Sequence, residues 1–180
     1  SEYPYDQAPE LQVEDVWILT EFHNVLRAIK QSWENIDIYS AAQAIKSFGT
    51  GVFPSHWLEM SKSRLYEGNE SASWTIHRIV KDLLTVFSPI CPFFTHHLSV
   101  TLFGESAVDI RDFPDLSDII DHNEAMGLLD LTENIVTFNS KIWKMKKDSG
   151  NSLNSPISGI SIPDALSDFS DTLTSMHKIE

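Results

Sequence analysis

The chain has 180 residues, a formal net charge of −13 and only Cys91 as cysteine. Hydrophobic residues make up 42 % and aromatics 11 %, including five Trp and ten Phe, which is enough for a sizeable core and argues against wholesale disorder. A lone cysteine excludes an intrachain disulfide and a cysteine-based zinc site, and the negative charge taken alone argues against an anionic partner.

Residues 1–12, "SEYPYDQAPELQ", are acidic, carry two prolines and read as a linker. They begin without an initiator Met, so we expect an excised piece of a longer protein. From Val13 to Trp33 the positions Val16, Leu19, Phe22, Leu26, Ile29 and Trp33 recur at three- and four-residue steps, the pattern of an amphipathic helix. Asp37 is placed to cap a second helix through "IYSAAQAIKSF". Gly49, Gly51 and Pro54 should break or kink that helix before "SHWLEMSKSRLY" resumes it.

"EGNES" at 67–71 is a polar turn, and a third helix should run from Ser71 to Phe87 with Trp74, His77, Val80 and Leu84 on one face. "PFFTHHLSVTLFG" makes a further helix closed by Gly104, and the acidic stretch after it contains Pro114. A long helix is expected from about Asn123 to Lys147, followed by a loop, a strand in "ISGISI" and a helical tail with Leu166, Phe169, Leu173 and Met176 in phase. The fold class expected is therefore all-α, an antiparallel helical bundle at 13–115, with residues 116–180 forming a long basic helix and a small strand-plus-helix appendage. Neither a βαβ alternation nor a Gly-rich phosphate loop is present in the sequence. The apolar run "LLTVFSPICPFF" is too short for the ~20 residues of a membrane helix, so no membrane partner is expected.

Met60-Ser61-Lys62-Ser63 spells a string similar to the KMSKS catalytic loop of class I aminoacyl-tRNA synthetases. Here the leading position is Glu59 rather than a base, the string continues a helix, and no HIGH-type signature precedes it. We read it as coincidence. The lines around it are more specific: "DVWIL" at 15–19, "DIYSAAQAIKSF" at 37–48, "FPSHWLEMSKSRLY" at 53–66, "FSPICPFFTHHL" at 87–98 and "FNSKIWKMKKDSGNSLNSPI" at 138–157. In that order, and over nearly the whole chain, they resemble the anticodon-binding helical domain of class Ia synthetases. Within the class they are most like the archaeal-type valyl branch, while the isoleucyl branch stays open. The family's Thr-Glu-Glu is here Thr95-His96-His97, which leaves the role of those two positions open.

The resemblance implies a tRNA partner, valine-specific, a cytoplasmic setting and a monomer. It also implies catalytic and editing domains elsewhere in a parent ligase that uses ATP and Mg, with no cofactor, metal or catalytic residue in this chain. Its anticodon contacts would fall between Lys46 and Arg64. From the residues themselves, Lys46, Lys62 and Arg64 supply charge there, and Phe53 and His56 supply faces on which bases stack. Lys141, Lys144, Lys146 and Lys147 crowd the end of the long helix, where they serve either phosphates or the helix dipole. The acids are segregated elsewhere: residues 105–133 hold nine against Arg111 alone. Adjacent His96 and His97 point about 100° apart on a helix, so they make a poor metal pair. Trp57 reads as core, and Cys91 as a small buried hydrophobe. The competing reading is a noncatalytic helical scaffold whose acidic surface binds a basic protein.

Overall fold

A computed structural model describes residues 7–105, 108, 111–120 and 127–180. Helix α1 (Val13–Glu34) is its axis. Glu14 and Asp15 in the first turn complement the positive end of the helix dipole. Trp17, Ile18, Leu19 and Thr20 are all buried, so this stretch is covered on every side rather than along one stripe.

The α1–α2 turn is tight. Asp37 N–H donates back to Ser32 O at 2.8 Å, and this places Ile36 in the left-handed region with φ 58°. A β-branched residue there is strained, and Ile36 is 83 % exposed, so no packing compensates it. Asp37 then caps α2 (Ile38–Thr50), accepting from Ser40 N–H at 3.0 Å, as its position suggests.

The expected break after α2 takes a particular form. At Gly51 a Cβ would meet Ser47 O at 2.4 Å, so only glycine lets the chain pass. Residues Phe53–Trp57 then form a wide π-turn, which runs directly into α3 (Leu58–Tyr66). Pro54 sits in the first turn, where its missing N–H costs nothing. This widened turn aligns four rings in file: Phe22 on Phe48 (4.9 Å), Phe48 on Phe53 (5.5 Å) and Phe53 on Trp57 (5.5 Å).

Gly68 (φ 75°) and the Asn69 cap turn the chain into α4 (Glu70–Phe87). Helix α5 (Pro92–Phe103) starts on a proline and stops at left-handed Gly104. The start expected near Asn123 lies outside the described residues, but the single long helix does not hold: residues 127–129 are helical, the chain turns at Asp130 and Leu131, and α6 runs over Thr132–Asp148.

The end of the chain departs from expectation. "ISGISI" forms no strand; among the described residues a single bridge joins Ile157 to Ile179. A 3-10 turn (Asp164–Phe169) leads into α7 (Ser170–His177). Leu166, Phe169 and Leu173 are fully buried, and the Phe169 ring meets the edge of Trp17 at 6.1 Å. The C-terminal segment thus completes the core around α1 rather than hanging from it as an appendage.

Candidate nucleic-acid interface

The buried polar groups sort the sequence candidates into those that build the scaffold and those left for a partner. Asp15 is fully buried and accepts from three elements: Trp57 Nε1 at 3.0 Å, both arms of Arg64 at 2.7 and 2.9 Å, and the Ser71 hydroxyl. Arg64 also reaches Ser61 and Gln12. Burial of the guanidinium disfavours its charge, but the hydrogen bonds and charge of Asp15, with Glu14 nearby, outweigh that and hold its pKa above the usual value. Arg64 is therefore committed to Asp15 and is withdrawn as an RNA donor. The Asp of "DVWIL" is thus a hub on which three other segments converge.

A second network lies under α6. Asn139 Nδ2 donates to His56 Nδ1 at 3.1 Å, and Asn139 Oδ1 accepts from His177 Nε2 at 2.8 Å. The first contact requires a neutral His56 protonated at Nε2, because its Nδ1 must accept; the second requires a proton on Nε2 of His177. Burial holds the His56 pKa down, and burial together with the Lys146 charge pushes His177 to about 4. Trp143 lies against both rings, at 5.4 Å from His56 and 5.9 Å from His177. His56 is thus a structural contact between the π-turn and α6.

Lys146 is 1 % exposed, and its ammonium donates to Leu153 O at 2.9 Å and His177 O at 2.7 Å. Desolvation and the charge of Lys178 lower its pKa. It ties α6 to the loop after it and to the end of α7, so it is removed from the phosphate-facing set. Phe53, 8 % exposed between Phe48 and Trp57, is likewise filler for the core and offers no free face. Trp57 is fully buried, as read from the sequence. Met60 to Ser63 lies inside α3, with Met60 and Ser61 buried.

The candidates that remain at the surface are all lysines. Lys46, Lys141, Lys144 and Lys147 are exposed and form no ion pair with a described residue. Lys62 is exposed and pairs with Glu59 at 2.6 Å, a solvent-facing contact that RNA could displace at little cost. The sequence reading passed over Arg27 and Lys30, which are exposed on α1 and flank a groove of about 280 Å³ against Phe113 and Pro114. Their i, i+3 spacing within a predicted helix was the available signal. It also passed over Tyr39, a 73 % exposed aromatic beside the strained turn.

A larger groove, about 460 Å³, runs between α6 and residues 159–165, with Lys141 and Met145 on the helical side and Ile160 and Pro163 opposite. His96 and His97 stand exposed on α5. Among the described residues, no group of three His, Cys, Asp or Glu is placed to hold a metal ion, and no helix is long and apolar enough to cross a membrane.

Comparison with known proteins matches residues 15–160 to the anticodon-binding domain of tRNA ligase. The chain is 31 % identical over 154 residues to valine–tRNA ligase of Saccharolobus solfataricus, covering 85 % of this chain and 18 % of that protein. It is 34 % identical over 115 residues to the same ligase of Sulfolobus acidocaldarius, covering 63 % of this chain and 14 % of the relative. Valine–tRNA ligase of Nanoarchaeum equitans aligns with all of the chain at 24 % identity, over 23 % of its own length. The chain thus spans less than a quarter of the length of these relatives. A helical bundle matched over most of its length by one family model, and aligned in order with these ligases, belongs to the anticodon-binding domain family of tRNA ligases.

Proposed function

We propose that the chain recognises the anticodon stem-loop of a valine tRNA as one part of a longer valine–tRNA ligase. The observation that carries the reading is the division of the cations. Arg64 and Lys146 are consumed inside the bundle, while Lys46, Lys141, Lys144 and Lys147 are left exposed without ion pairs to described residues. Unpaired surface lysines supply the local positive potential that phosphate contact requires, even on a chain whose average charge is negative.

The contribution to aminoacylation is positional. Binding energy gathered at the anticodon end orients the acceptor end toward an active site elsewhere in the parent, which would use ATP and Mg. The parent is a cytoplasmic monomer in this account. Filter binding of valine tRNA to the chain from about 50 to 200 mM salt tests the reading. Affinity should fall by roughly tenfold or more for a surface making several phosphate contacts. A flat salt dependence would favour the acidic-scaffold reading, in which a basic protein is bound instead.

A further inference from the structure

The groove between α6 and residues 159–165 is large enough for a nucleobase and has a mixed apolar and polar lining. Its volume is about 460 Å³, within the range of small-ligand sites. Met145, Ile160 and Pro163 give it accessible apolar walls against which a planar base can lie, while Phe138 and Ile142, buried in the core, close its floor. Asn134, Thr137 and Ser161 bring hydrogen-bonding side chains to the same lining. Lys141 is an exposed lining residue, and Lys144 is the next exposed cation on the same helix. Met145, 38 % exposed in the wall, is a flexible and polarizable surface.

Both sides of the groove are held in place by contacts within the chain. On one side Phe138 and Ile142 are anchored in the core. On the other, Ile157 N–H donates to Lys178 O and Glu180 N–H donates to Ile157 O, both at 3.0 Å. Lys146 on α6 also bonds His177 O, the residue before the Lys178 that holds Ile157. Beyond Pro163 the chain is tied down again by buried Leu166 and Phe169. A recess that is formed in advance costs little ordering when an extruded base enters it.

We propose that this groove takes one unpaired nucleotide of the bound tRNA, its base between the apolar walls and its phosphate on Lys141. The inference rests on the tRNA-binding reading above and adds to it a defined recess on α6, away from the 46–64 segment. RNA recognition commonly relies on splayed single-stranded bases held by stacking and by contacts to their edges.

The test fills the groove. Ala165 lies in its lining and is exposed, so Ala165→Trp occupies the recess without disturbing the core. With the 180-residue chain and a valine tRNA transcript, we expect Ala165→Trp to weaken binding roughly tenfold at an unchanged salt slope, the signature of a lost stacking site. Lys141→Gln should flatten the slope by about one unit. Ultraviolet cross-linking of the wild type should attach RNA to the peptide carrying Phe138 or Met145, and Ala165→Trp should abolish that product. Should Ala165→Trp fail to fold, Ser161→Trp, at another exposed lining position, is read in the same way. A folded variant that binds tRNA within about twofold of wild type, with the cross-link retained, overturns the groove and leaves the tRNA reading intact. If the wild-type chain binds no tRNA at any salt, the tRNA reading itself fails and the groove falls with it.

Discussion

Arg64 grips Asp15 with both nitrogens of its fork, at 2.7 and 2.9 Å, and so fastens α3 to the first turn of α1 across 49 residues of sequence. The same carboxylate holds the indole of Trp57 and the hydroxyl of Ser71, so four segments meet at one charge. Arg64→Ala strands a buried carboxylate, and breaking such a pair from one side costs about 3–5 kcal/mol. Urea denaturation should show a midpoint lowered accordingly. Where the variant is still folded, its tRNA affinity should equal that of wild type. A variant of unchanged stability and lower affinity would return Arg64 to the RNA surface.

The paired neutral histidines give the fold an acid-sensitive joint. The folded-state pKa of His177 lies near 4, below its unfolded value of 6.5, so the unfolded chain binds the proton more tightly. Its contribution is complete above pH 6.5 and is lost as pH falls toward 4. By pH 5 the loss is about 2 kcal/mol, with His56 acting in the same direction. Thermal melts at pH 7 and pH 5 check this. His177→Gln should be less stable at pH 7 but should shrink the difference between the two pH values.

Lysines 144 and 147 should separate cleanly from lysine 146. Replacing both exposed lysines by Gln should flatten the salt slope of tRNA binding by roughly two units. The melting point should move little, because an exposed cation at a helix C-terminus is worth only ~0.3–1 kcal/mol. Lys146→Met should do the reverse. It loses two hydrogen bonds from a buried ammonium, each worth about 1.5–3 kcal/mol, and leaves the salt slope as it was.

Ile36 offers a gain of stability. At φ 58° and 83 % exposed, it bears the cost of a left-handed backbone with few contacts in return. Asn adopts this region more readily, so Ile36→Asn should stabilise the chain by about 1 kcal/mol in chemical denaturation. A loss of stability instead would mean that the Ile36 side chain makes packing contacts its exposure does not suggest.

These relationships mark how far the sequence could be read. Long periodic segments such as α1 were legible to within a residue or so, since burying Trp17, Phe22, Leu26 and Ile29 demands the helical period. The inward turn of Lys146 was legible in principle: it continues the three- and four-residue steps of Ile135, Asn139 and Ile142. Its positive charge drew the reading to RNA instead. The π-turn was not legible, because Gly51 and Pro54 signal an interruption without saying that Phe53 and Trp57 will be brought into one file of rings. The strand in "ISGISI" failed because alternation requires a partner of similar length, and only Ile179 pairs with it among the described residues. Candidates chosen for residue type, such as Phe53, His56 and Arg64, proved to be those the core itself uses, since stacking rings and forked donors serve a scaffold as well as an RNA.

The most direct measurement of the central claim is the affinity of the wild-type chain for valine tRNA and for the same tRNA with its anticodon bases exchanged. Each lost base-edge contact is worth about 1–3 kcal/mol. The exchanged tRNA should therefore bind at least roughly tenfold more weakly at the same salt concentration, with an unchanged salt slope because the phosphates are still met. Equal affinity for the two RNAs would contradict anticodon recognition and leave only nonspecific attraction to the exposed lysines of α2 and α6.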